Sequence, residues 1–176
     1  MELLLEQIKK GLDANLYYIS LFVALCIPDI YGALESEDGR ADGEKYKHRI
    51  KEYLIQARPE KYGRQLSAEQ IWNFRCAILH QGRTKHDHGI EYKRILFTEP
   101  GLKTGIDSIH CCIVGSKGQD KSLLINLRQF CTDIIEGAKM WLKNNVHNEN
   151  YLKNYERLIK RYPNGVSPVF GCLIIG

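Results

Sequence analysis

A chain of 176 residues is long enough to bury a substantial core as a single domain. Its 44% hydrophobic and 26% charged residues are those of an ordinary soluble globular protein and argue against a disordered or membrane-filling chain. A net charge of +4 permits an anionic partner, yet it falls short of the basic footprint of a dedicated DNA-binding domain.

Six cysteines (Cys26, Cys76, Cys111, Cys112, Cys131 and Cys172) make no C-x-x-C pair and match no zinc-ligand spacing. Three lie in apolar helical stretches, where a thiol acts as a small hydrophobe. The opening residues 1–7, MELLLEQ, lack the basic region and cleavage site of a signal peptide, and there is no N-x-S/T acceptor. The expected location is therefore a reducing cytoplasm, without a membrane and without a cofactor.

In chain order, residues 2–14 read as a short amphipathic helix built on Leu4, Leu5, Ile8 and Leu12. A long apolar helix follows over 15–35. Its apolar core, 19–34, falls short of the ~18 uninterrupted apolar residues of a membrane span and carries Pro28 and Asp29, so it reads as a buried central helix, kinked or restarted at the proline. A polar loop, SEDGRADG, occupies 36–43, and a helix with Tyr46, Ile50, Tyr53 and Leu54 inward covers 44–56. Ser67 and Gln70 form a capping box that opens a helix to His80, and Gly82 supplies its C-terminal stop.

The texture then changes. RILFTE (94–99) and HCCIV (110–114) predict two short strands of a hairpin or small sheet. A long helix is expected from Ser122 to about Asn145, with Leu123, Leu127, Phe130, Ile134, Ala138 and Trp141 at helical spacing, and a last helix over 149–161. Pro163-Asn164-Gly165 ends it, and the apolar tail 169–175 suits a strand or packed extension. The fold class is thus a mainly α single domain, 1–176, with a small β-hairpin insertion around 94–114.

Residues 74–83, FRCAILHQGR, carry the chemistry. Counted at about 100° per residue, Ile71, Trp72, Phe74, Ile78 and Leu79 fall in an arc around Arg75. A permanent cation on that face costs stability unless a carboxylate, a dimer partner or a phosphate compensates it. Asp29 is the only charged residue between Asp13 and Glu35, inside the most apolar helix, which makes it the expected structural partner of Arg75, with Glu35 as the alternative. Asp29 also suits a helix cap after Pro28.

Arginine clamps phosphate through a fork of hydrogen bonds, and a neutral histidine moves protons near neutrality. Arg75 and His80 therefore form a minimal kit for cleaving RNA without metal: the imidazole exchanges a proton with the 2′-hydroxyl or the leaving oxygen, and the guanidinium stabilises the pentavalent phosphate. Five helical residues rotate the two side chains about 140° apart, so convergence needs the reach of Arg75, a loosened last turn or a second subunit. The bland alternative is a structural ion pair and a histidine favoured by the helix dipole.

Arg83 and Lys85 are candidate substrate-binding cations beyond His80, continued by Lys93 and Arg94. Lys153, Arg157, Lys160 and Arg161 interleave with Tyr151, Tyr155 and Tyr162, which suits single strands or, more commonly, a solvated face over inward tyrosines. His80, His86 and His88 would have to converge for a metal-dependent hydrolase, but their spacing matches no ligand pattern and no metal is expected.

An arginine, four residues and a histidine at a helix end resemble the HEPN (higher eukaryotes and prokaryotes nucleotide-binding) superfamily. LFVALCIPDIYGALES, FRCAILHQGR and RILFTEP together look like a small, mostly uncharacterised bacterial subgroup, a likeness covering about residues 15–145. It implies a bundle of four to five principal helices that forms a homodimer, with both Arg/His pairs in one cleft. It also implies a metal-independent RNase of toxin–antitoxin or antiphage type with an antitoxin partner, in which Arg75 binds phosphate and His80 is the acid/base. Active members often carry a polar residue directly after the arginine, where this chain has Cys76. Other members are non-catalytic nucleotide- or protein-binding modules.

Overall fold

The structure is a computed structural model that describes residues 1–63, 65–85, 92–99, 109–116 and 120–176. It is mainly helical with small sheets. Helix α1 (Glu2–Asp13) buries Leu5, Ile8 and Leu12 against α2 (Tyr17–Glu35) and α6 (Leu127–Asn145). Helix α2 is the central element and buries Leu21, Ala24, Leu25, Ile27, Tyr31 and Leu34. It runs unbroken through Pro28, although the missing N–H leaves the Ala24 carbonyl without its helical donor. α2 is long and apolar enough to cross a membrane by composition, yet half of that window is buried within the fold.

Tyr31 stacks on Trp141 of α6 at 4.9 Å, and the Trp141 indole N–H donates to Glu35 at the end of α2. Glu35 also pairs at 2.6 Å with Arg49 on α3 (Gly43–Ile50), which Asp42 caps through the Lys45 amide. The helix continues as a π-helical turn, Lys51–Ile55, before α4 (Pro59–Tyr62). Helix α5 (Ala68–Gln81) has both bonds of the expected capping box, and Gly82 ends it at φ 63, with its own amide on Ile78 and the Arg83 amide on Ala77. Glycine meets that left-handed geometry without Cβ strain.

Both expected strands form, as members of a small sheet and not as a hairpin. β1 (Arg94–Thr98) and β2 (Cys112–Val114) flank a third strand, β3 (Ser122–Asn126), giving the order β1-β3-β2 with β1 parallel and β2 antiparallel to β3. The five residues SLLIN form a strand and not the first turns of the long helix, since a short apolar run fits either periodicity. The helix begins one residue after the strand, where the Asn126 side chain accepts from the Gln129 amide. A central strand covered on both faces reads as a continuous apolar run.

α7 (Glu149–Tyr155) ends earlier than expected, and the chain finishes in two small ribbons: β4 (Arg161–Tyr162) with β7 (Ile174–Ile175), and β5 (Gly165–Val166) with β6 (Val169–Phe170).

One buried charge ties the irregular middle of the chain to α6. The Asp133 carboxylate, 1% exposed, accepts from Arg58 Nε at 3.0 Å, Lys61 Nζ at 3.1 Å, Tyr62 Oη at 2.7 Å and Gln129 Nε2 at 3.0 Å. Removing that acceptor leaves the buried Tyr62 hydroxyl and Arg58 Nε without a partner, although Arg58 keeps Glu136 and the Tyr53 carbonyl. Asp133→Ala is therefore expected to lower the free energy of unfolding by ~3–5 kcal/mol in urea titrations; a change within 1 kcal/mol (about the worth of an exposed pair) would refute the hub.

A candidate phosphate site at Asp29, Arg75 and His80

Helix α5 buries Ile71, Phe74 and Ala77, and the next position on that side is Arg75, whose side chain keeps 15% of its surface exposed. Its counter-charge comes from α2. Arg75 Nε and Nη2 both donate to Asp29 Oδ2, at 3.0 and 2.7 Å. Asp29 lies mid-helix, so it is not a cap, and Glu35 is committed to Arg49 and Trp141. Burial pushes the Asp29 carboxyl above the usual carboxylate range, and the hydrogen bonds from Arg75 pull against that rise.

The third partner of Arg75 is His80: Nη1 lies 2.7 Å from Nε2. A guanidinium has only donors, so Nε2 accepts and the ring proton sits on Nδ1 while this bond is made. The helical offset between the two residues is overcome by length and direction. Helical Cβ bonds lean toward the N-terminus, which brings the imidazole back over the preceding turn, and the arginine spans the remainder. A carboxylate, a guanidinium and an imidazole thus stand in series from half-buried to exposed. His80 is exposed at the helix end.

Arg83 and Lys85 are both exposed and follow directly from the Gly82 stop. Lys85 bridges antiparallel to Arg94, which brings the start of β1 beside this segment, and Asp120 pairs with Lys85 at 3.6 Å and Lys93 at 3.0 Å. This cationic edge is therefore partly neutralised. His86 and His88 lie outside the described residues; among the described residues no group of three His, Cys, Asp or Glu side chains has metal-binding geometry.

The late basic segment takes its bland form. Tyr151 packs on Trp141 and Tyr155, Lys160 sits over the Tyr155 ring at 5.0 Å, and Lys153 donates to the Glu37 carbonyl. Cys111 is buried, with its thiol pushed up to about 12 by burial, which suits a packed side chain better than a nucleophile.

Trp72, an apolar neighbour of Arg75 by helical spacing, also packs its ring against the cation. Its ring lies 5.2 Å from the Arg75 guanidinium carbon, an i, i+3 cation–aromatic contact whose spacing was visible in the sequence.

Comparison with known proteins gives no match: no family model, no curated protein and no solved structure resembles the chain at a significant level.

The raised Asp29 carboxyl has a defined pH signature. A folded value above the ordinary 3.8 means that Asp29 contributes stability present below that value and lost as pH rises through the raised one. Asp29→Asn, neutral throughout, is expected to gain on the parent protein as pH rises across this window. Urea denaturation of both proteins from pH 3 to 7 measures it, and a difference moving the opposite way would show that the Arg75 pairing outweighs burial.

Proposed function

We propose that the protein is a HEPN-like, metal-independent RNA endonuclease that works as a homodimer, of the kind that serves in toxin–antitoxin or antiphage systems and is restrained by an antitoxin. The observation that carries this reading is the Arg75–His80 hydrogen bond at the exposed end of α5, with Arg75 oriented from behind by Asp29. A guanidinium fixed on one side by a carboxylate offers its remaining N–H groups to phosphate oxygens, and an imidazole 2.7 Å away is within reach of the same phosphodiester.

In this reading a phosphate oxygen replaces His80 Nε2 as the acceptor of the Nη1 N–H while the guanidinium keeps its place, which frees the Nε2 lone pair. Nε2 takes the proton of the 2′-hydroxyl, the 2′-oxygen bonds to phosphorus, and the bond to the 5′-oxygen breaks as that oxygen takes the proton back from the His80 imidazolium through water. Arg75 stabilises the charge on the pentavalent phosphate. Arg83 and Lys85 supply weaker contacts to neighbouring phosphates.

The dimer reading draws support from α2. Tyr18, Ile19 and Phe22 are 74%, 60% and 38% exposed, and at helical spacing they share one face with half-buried Cys26 and with Asp29. An apolar stripe leading to the partner of Arg75 suits a second copy that brings its own Arg75 and His80 to the same cleft.

The Asp29 clamp favours a second reading: a non-catalytic nucleotide- or protein-binding HEPN-like dimer in which Arg75 serves structure alone. The two separate experimentally. For the enzyme, RNA cleavage persists in EDTA and falls by about 10²–10⁴-fold in Arg75→Ala and His80→Ala proteins that keep their melting temperature. For the binding module, Arg75→Ala unfolds or dissociates the protein and the parent chain leaves RNA intact. Ile19→Glu is expected to yield monomers by light scattering; an unchanged mass would move the interface elsewhere.

A further inference from the structure

We infer that Trp72 is a positioning residue of the Arg75–His80 site, and that Gly43 is glycine so that Trp72 can take up this place. The inference rests on the functional reading above but has its own physical evidence. The indole is held on two sides. The Arg75 guanidinium carbon lies 5.2 Å from the ring centroid, and the Tyr46 ring packs tilted at 5.1 Å. The backbone of Gly43 closes the gap between α3 and α5: a Cβ there would lie 3.0 Å from Trp72 Cε2 and Cζ2 and 3.3 Å from Nε1. A methyl there would press the indole aside by a few tenths of an ångström.

The geometry gives this wedge a task. Arg75 is long and flexible, and its bonds to Asp29 use Nε and Nη2 on a single carboxylate oxygen, which leaves the guanidinium free to pivot about Oδ2. Pivoting would carry Nη1 away from His80 Nε2. An aromatic face beside the cation restricts that pivot by cation–aromatic attraction and by excluding water from one face. The order of control runs from the start of α3, through Gly43 and Trp72, to the angle at which Arg75 meets His80. Trp72 thereby acts on phosphate chemistry without touching the phosphate.

The test uses the whole protein with nitrogen-15-labelled arginine and histidine side chains. A fixed guanidinium gives distinct signals for Nη1 and Nη2, and His80 gives an unprotonated, hydrogen-bonded Nε2. Trp72→Phe is expected to retain both signatures. Trp72→Leu, and independently Gly43→Ala, are expected to merge the Nη signals and to shift His80 Nε2 away from its bonded value while backbone spectra remain folded. If Trp72→Leu fails to fold, Gly43→Ala decides. Unchanged Nη and Nε2 signals in a folded Trp72→Leu or Gly43→Ala protein would overturn the inference, as would their loss in Trp72→Phe. RNA cleavage is read alongside: positioning predicts a kcat loss of about 100-fold with little change in KM, restored by phenylalanine. A parent protein that cleaves no RNA would defeat the functional reading while the nitrogen signals still judge Trp72.

Discussion

A guanidinium cannot leave water without a counter-charge, and the pairing of Arg75 with Asp29 is the constraint from which the rest of the site follows. Arg75 sits among the buried residues of α5, and the carboxylate that meets it comes from the apolar central helix. The pair therefore sets how α5 turns against α2, and within the pivot that Trp72 restricts it leaves the free end of the guanidinium one direction. That direction is toward His80. Burial raises the Asp29 carboxyl while the hydrogen bonds from Arg75 oppose the rise.

Other buried charges in the molecule behave differently. Asp133 is enclosed by four donors from α4, its preceding residues and α6, and Glu35 is shared between Arg49 and the Trp141 indole. Each ties two or more elements together and spends its hydrogen-bonding capacity inside the protein. The Asp29–Arg75–His80 series runs instead from the interior to an exposed imidazole. A structural ion pair terminating in an exposed proton carrier has a place in phosphate chemistry that a closed hub lacks.

The parts of this arrangement legible in the sequence were those with local signals. Ser67, Gln70 and Gly82 marked both ends of α5 because capping chemistry is confined to a few residues. Asp29 stood out as a lone charge in an apolar run, which pointed to Arg75 across 46 positions. The sheet was not legible: SLLIN passes directly into a helix without a turn signal, and a run so short fits both periods. Nor was the Asp133 hub, since Arg58, Lys61 and Tyr62 come from an irregular segment and Tyr62 lies 71 residues from its acceptor. The Arg75–His80 contact was legible only as one of three routes, because the helical wheel sets the two Cβ atoms far apart and the reach of an arginine has to bridge them. Trp72 was hidden for a related reason, because aromatic residues on an apolar face are ordinarily core.

The most direct measurement is the chemical identity of the ends that the purified protein leaves on RNA in EDTA. Attack by the 2′-oxygen, driven by His80 and stabilised by Arg75, predicts a 2′,3′-cyclic phosphate on one fragment and a 5′-hydroxyl on the other, with no cut where the 2′-hydroxyl is replaced by hydrogen. A 3′-hydroxyl end, cleavage at a deoxy position, or RNA left intact would contradict the account.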